Sequence, residues 1–210
     1  MLFLLPLFTA FCVSVEYKQN NVKNICSSTL FGLLAGIVYS FIGVFFYSSY
    51  YLAKYSFWTN WFYFAFIEMI VPATIATVFY VLLTKKYNNM FKNLFYVFLG
   101  FFSIFMPVRI ISSNQAYHYF LLFFKPLLLL CALFYFKKMI FVLYERKDIT
   151  IKAIAPFVVY MLALLLVPAA IETCWFIGLS SWIWILSSLL YFSGAIVWKV
   201  ISVKKTRLCE

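Results

Sequence analysis

The sequence predicts an all-α fold: a polytopic transmembrane helical bundle of six or seven helices, forming a single integral membrane domain over residues 1–210. Three observations carry that prediction. Hydrophobic residues make up 66% of the chain and charged residues 11%, whereas a soluble domain is roughly half apolar and about a quarter charged. The apolar residues are gathered into uncharged runs of about 20 residues, the length that crosses a bilayer. Between those runs the basic residues cluster in short polar segments, which is where topology signals sit.

Residues 1–15, MLFLLPLFTAFCVSV, carry no charge but are short for a span. They read as a short or tilted first helix, with a retained signal-anchor or a re-entrant segment as the alternative. Glu16 to Ser28 is polar and reads as a loop. The second helix, residues 29–53, places Gly32, Gly36 and Ser40 four residues apart. That spacing lines small residues on one face, where another helix backbone can approach closely.

The third helix, residues 57–84, opens with Trp58, Trp61 and Tyr63, aromatics that suit a membrane interface. Glu68 lies near its middle and Pro72 one turn later. Residues 94–136 are too long for one span, and the run Ser112–Ser113–Asn114–Gln115 is the expected turn. This gives helix four over 92–111, with Pro107 and Arg109 near its end, and helix five over 117–136, with the pair Lys125–Pro126. Lys137 to Lys152 either continues helix five or lies as an amphipathic segment on headgroups. Residues 153–198 contain one charge, Glu172, and divide near Gly178 into helix six, 153–172, and helix seven, 177–199.

The net charge of +11 would suggest nucleic acid in a soluble protein. Here the basic residues sit between apolar runs, so no nucleic-acid partner is expected; they serve as topology signals and as contacts to anionic lipid headgroups. All but Lys54, Arg109 and Lys125 fall in alternate loops and the C-terminal tail. The positive-inside rule then puts those loops and the C-terminus in the cytoplasm. Richness in Lys, Asn, Phe and Tyr points to an AT-rich genome and a bacterial cytoplasmic membrane.

Four ionisable residues interrupt or end the apolar runs: Glu68, Lys125, Arg109 and Glu172. At 1.5 Å per residue, Glu68 lies about 15 Å from Trp58 and Lys125 about 12 Å from Tyr117. Both helices start on the same side, so the two groups share a depth. An unpaired charge at mid-bilayer costs about 2.5–3.5 kcal/mol. The sequence therefore predicts a Glu68–Lys125 contact inside the bundle, beside the helix-breaking Pro72 and Pro126. The alternative is that Lys125 reaches outward and Glu68 stays protonated. Arg109 and Glu172 read as a separate pair near the outer boundary, where charges need no special account. IEMIVPAT in helix three and LVPAAIET in helix six each hold a glutamate four residues from a proline.

No catalytic set is legible. The single His118 cannot supply HExxH, and GxSxG and phosphate-binding glycine loops are missing. Cys12, Cys26, Cys131, Cys174 and Cys209 form no CxxC. The sequence thus points away from an enzyme and implies no cofactor and no metal site. The expected function is a small transporter or channel with Glu68, Lys125, Pro72, Pro126, Arg109 and Glu172 at its binding or translocation route. The alternative is a non-catalytic integral membrane subunit, partnered by other membrane proteins or by copies of itself, with Gly32, Gly36 and Ser40 as packing residues.

Overall fold

The computed structural model describes residues 22–47, 56–84, 90–112, 118–145, 164 and 166–207. Among them every regular element is helical. Helix α1 is Val22–Tyr47. Helix α2 is built of Phe57–Phe62, a π-helical stretch Tyr63–Ile70, and Val71–Thr84. Helix α3 is Met90–Ser112. Helix α4 joins a π-helical Phe120–Phe124 to Lys125–Glu145. Helix α5 is Leu166–Phe176 and α6 is Ser181–Arg207.

Four of the six are long and apolar enough to cross a membrane: Asn24–Gly43, Phe57–Leu82, Asn93–Ser112 and Phe120–Lys137. Two shorter apolar helices, Leu166–Phe176 and Ser181–Val197, complete the described set. The expected bundle of six or seven spans is therefore only partly seen. The first expected span, residues 1–15, lies outside the described residues, as does most of 153–165. The described part of α5, Leu166–Phe176, rises about 16 Å at 1.5 Å per residue.

Several boundaries differ from the sequence expectation. Helix α1 begins at Val22, inside the segment read as a loop. Its polar residues are accommodated locally: Ser27 Oγ donates to Asn24 O at 3.1 Å and Thr29 Oγ1 to Ile25 O at 2.9 Å. Such back-bonding hydroxyls allow polar residues within a helix. Ser28 is buried, its hydroxyl 3.4 Å from that of Tyr80 on α2. Helix α4 continues past residue 136 to Glu145, and Lys137 sits 4.8 Å over the Phe95 ring. A cation over an aromatic face is a favourable place for a helix-borne lysine.

Helix α5 runs one turn beyond residue 172, to Phe176, before Gly178 ends it at φ 76°. The stop is a Schellman arrangement: Gly178 N–H donates to Trp175 O and Leu179 N–H to Cys174 O, both at 3.0 Å. A left-handed backbone of that kind favours glycine.

Helix α3 is the central element, buried without interruption from Leu94 to Phe102 and Ser103. That explains why it is apolar on all faces rather than amphipathic. It packs most extensively on α1. A side-chain carbon added at Gly32 would run into the Val97 carbonyl and reach within 2.9 Å of Phe101 N. At Gly36 it would come within 2.7 Å of Phe101 O, and at Gly100 within 3.0 Å of Leu33 N. Gly32, Gly36 and Gly100 thus allow backbone-to-backbone contact, the geometry expected of small residues in a membrane interface. Ser40 is buried farther along α1, and the neighbouring Tyr39 ring lies 5.3 Å from that of Phe105.

The apolar interior falls into three clusters. One joins α1, α2, α3 and α4 around Phe98, Phe101, Phe102 and Phe105. A second joins α3, α4, α5 and α6 around Phe120, Ile171, Trp184 and Tyr191. The third, Tyr63, Phe64, Ala65 and Ala169, ties α2 to α5. The charged residues sit where the clusters meet.

Candidate functional site

The two π-helical stretches decide where the buried charges point. Each ends next to a proline: Tyr63–Ile70 runs into Val71–Pro72, and Phe120–Phe124 into Lys125–Pro126. Proline has no N–H to give to the carbonyl four residues back, and its ring crowds that carbonyl. A widened turn relieves the conflict by shifting the pairing to the fifth residue back. Val71 N–H accordingly bonds to Phe66 O, and Lys125 N–H to Phe120 O. The extra residue in each turn also rotates the next stretch of helix about its axis. Glu68 and Lys125 both lie at these breaks, and both turn inward.

The structure brings Glu68 and Lys125 together and joins Arg109 and Glu172 to them. Lys125 Nζ donates to Glu68 Oε2 at 2.5 Å and also to Glu172 Oε1. Arg109 grips the other oxygen of Glu68: its Nε donates to Oε1 at 3.1 Å, and Nη2 lies 3.1 Å from the same oxygen. Nη2 also donates to the Tyr63 hydroxyl at 3.1 Å. The Phe64 ring centroid is 5.7 Å from Lys125 Nζ. The result is a linear chain of charges, Arg109–Glu68–Lys125–Glu172, one from each of α3, α2, α4 and α5.

The chain is neutral in sum and nearly sealed. Glu68 is 2% exposed, Glu172 3% and Lys125 6%. Only Arg109 is more open, its side chain 16% exposed. Burial of this kind strengthens every pairing, because little water screens it, and makes the loss of one partner costly.

Two sequence expectations need correction. Arg109 and Glu172 do not form a pair of their own: Arg109 bonds to Glu68, and Glu172 to Lys125. Nor is Glu172 a boundary charge. Helix α5 extends a further turn beyond it, and Glu172 is buried. The prolines take supporting places, with Pro72, Pro126 and Pro168 all buried. Pro107 lies within α3, two residues before Arg109.

Tyr63 and Phe64 belong to the site and are not distinguishable in the sequence from interface aromatics. Tyr63 precedes Glu68 by five residues, which in a regular α-helix places it about 140° around the axis. Only the π-helical turn brings both toward the same guanidinium. Helix α5 is held at both ends as well: Trp61 Nε1 donates to Leu166 O at 3.2 Å, and Trp175 Nε1 to His118 Nδ1 at 3.1 Å. His118 Nδ1 also accepts from Phe120 N–H at 3.2 Å, and burial pushes the His118 imidazole below its usual value.

Among the described residues no cluster of three or more His, Cys, Asp and Glu side chains is placed to hold a metal ion. A groove of about 110 Å³ between α1, α2 and α3, lined by Leu34, Val38, Ala76 and Phe79, is apolar and includes none of the four charges. No protein-family model, no curated protein and no solved structure matches the chain, so its function has to be reasoned from this geometry.

Proposed function

We propose that the protein is a small membrane carrier or channel whose route passes the Arg109–Glu68–Lys125–Glu172 chain. One observation carries the reading: four helices each place one charge at a shared buried point, and two of them break their regular hydrogen bonding there. Ionisable residues within apolar spans are expensive and characteristically mark ion or substrate pathways. Irregular helices at membrane depth characteristically line such sites. Pro72 and Pro126 create the irregularity, and Glu68, Lys125, Arg109 and Glu172 supply the exchangeable charge.

The alternative, a non-catalytic integral membrane subunit, draws on the outward apolar faces of α1 and α6, where Phe41, Trp182 and Leu190 are more than two-thirds exposed. A lipid shell covers such faces equally well. The small-residue seam is already occupied within the chain, by α3, so Gly32 and Gly36 no longer speak for a foreign partner. In either reading the basic segments rest against anionic headgroups, and the charge bias favours a cytoplasmic C-terminus in a bacterial membrane. Purified protein in liposomes tests the carrier reading. At matched protein content Glu68→Gln should abolish solute or ion flux; loss of abundance only when another membrane protein is deleted would support the subunit instead.

A further inference from the structure

We propose that the site binds a proton, at the carboxyl of Glu172, and that the proton competes there with the Lys125 ammonium. The inference deepens the carrier reading, on which its use for transport rests, by naming the bound species.

The asymmetry of the charge chain singles out Glu172. Glu68 holds two cations, one on each oxygen: Arg109 on Oε1 and Lys125 on Oε2. Lys125 holds two carboxylates. Among the described residues Glu172 has one ionic partner, Lys125. A proton arriving at Glu68 displaces two cations, and a proton leaving Lys125 strands two carboxylates. A proton arriving at Glu172 breaks one contact and leaves the other two intact. Lys125 then remains on Glu68, which is still held by Arg109 and the Tyr63 hydroxyl behind it. Of the proton changes at Glu68, Lys125 and Glu172, this one disturbs the fewest ionic contacts.

The groups facing Glu172 are few. Glu68 and Tyr63 come from α2, Arg109 from α3 and Lys125 from α4. The apolar cluster shared by α4, α5 and α6 contains Tyr191, Tyr135, Cys131 and Cys174. His118 meets α5 only through Trp175, one turn away. Glu68 is the one other carboxylate at this point among the described residues, and the Lys125 ammonium lies between the two.

Proton binding there also has a mechanical outlet. Lys125–Glu172 is the ionic tie between α4 and α5. In its described part α5 carries buried Pro168 one turn before Glu172 and is followed by left-handed Gly178. Protonation of Glu172 releases the middle of α5, while Leu166 O and Trp175 keep its ends attached.

Infrared difference spectroscopy on the full chain in lipid nanodiscs tests this, reading the carbonyl band of protonated carboxyls as pH is lowered. The wild type should gain such a band, Glu172→Gln should lack it, and Glu68→Gln should keep it. In Lys125→Met the band should appear at a pH higher by about 1–3 units, the usual influence of a close opposite charge on a carboxyl. A band that survives in Glu172→Gln, or a titration that does not move in Lys125→Met, overturns the proposal. Flux is measured separately in liposomes. A titrating Glu172 without flux refutes the carrier reading and leaves the proton site standing; flux with no Glu172 band refutes the proton site alone.

Discussion

Lys125→Met should be among the most damaging single substitutions in the protein, and a second substitution should repair part of the damage. Methionine keeps the length and packing of the lysine stem but removes the ammonium. Two buried contacts are lost, to Glu68 Oε2 and Glu172 Oε1. Glu68 retains Arg109, but Glu172, at 3% exposure, loses its one ionic partner among the described residues and must take up a proton to stay buried. Breaking a buried ion pair from one side costs about 3–5 kcal/mol. In Lys125→Met with Glu172→Gln the surviving charges are Arg109 and Glu68, which still bond to each other. The double variant should therefore be more stable than Lys125→Met alone, with a coupling energy of about 1–3 kcal/mol in a double-mutant cycle. Unfolding from mixed micelles by a denaturing detergent measures all four proteins of the cycle. Strict additivity of the two single losses would refute the shared-contact account. Simple charge exchange is a poor repair by the same geometry. Lysine at 68 would face Arg109, and glutamate at 125 would face Glu172.

Four further outcomes rest on particular contacts. Tyr63→Phe removes only the hydroxyl that accepts from Arg109 Nη2 and should cost about 1.5–3 kcal/mol in the same unfolding assay, the range for a hydrogen bond to a charged group. Gly32→Ala or Gly100→Ala should force α1 off α3 and cost about 1–3 kcal/mol, whereas Gly194→Ala, exposed and facing only the end of the Tyr135 side chain, should stay within about 0.5 kcal/mol. His118 accepts two N–H groups on Nδ1, which needs the neutral ring, and burial lowers its proton affinity in the folded state. Its contribution is then complete above the ordinary value of 6.5 and declines as pH falls below it, so the wild type should lose stability below that value and His118→Gln should show a flatter profile there. Glu172→Gln, which gives up one ionic contact, should be milder than Lys125→Met by at least about 1 kcal/mol in detergent unfolding.

The fold is legible in the sequence to the extent that it depends on apolar run length. Residues 57–84 and 92–111 lie within two residues of α2 and α3, because interface aromatics, Lys85–Lys86 and Ser112–Ser113 bound them sharply. Ends set by local hydrogen bonding are harder to read. Val22–Ser28 carries Asn and Ser residues that resemble a loop, yet Ser27 bonds back into the helix and Ser28 meets the Tyr80 hydroxyl on α2. The end of α5 depends on a Schellman turn at Gly178, and Glu172 looks peripheral only when the helix is drawn one turn short.

The site shows the same division. Depth along each helix points to Glu68 and Lys125 as neighbours, since rise per residue depends little on side chains. Which face a residue occupies depends on rotation, and two π-helical turns change that rotation in ways no α-helical projection captures. Tyr63 and Phe64 therefore read as interface aromatics, Arg109 and Glu172 fall near helix ends in the sequence, and the structure gathers all four with Glu68 and Lys125. Gly100 is another such case: alone in α3 it belongs to no GxxxG pattern, and it meets Gly32 only across the helix pair.

The most direct test of the central claim is ion and solute flux into liposomes containing the purified wild type, Glu68→Gln or no protein, with protein content matched by quantitative immunoblotting. The account predicts that wild-type vesicles dissipate an imposed gradient faster than empty ones, and that Glu68→Gln vesicles match the empty ones at equal protein content. Equal flux in wild type and Glu68→Gln would contradict it, as would wild-type vesicles no more permeable than empty ones across monovalent cations, protons and small neutral solutes.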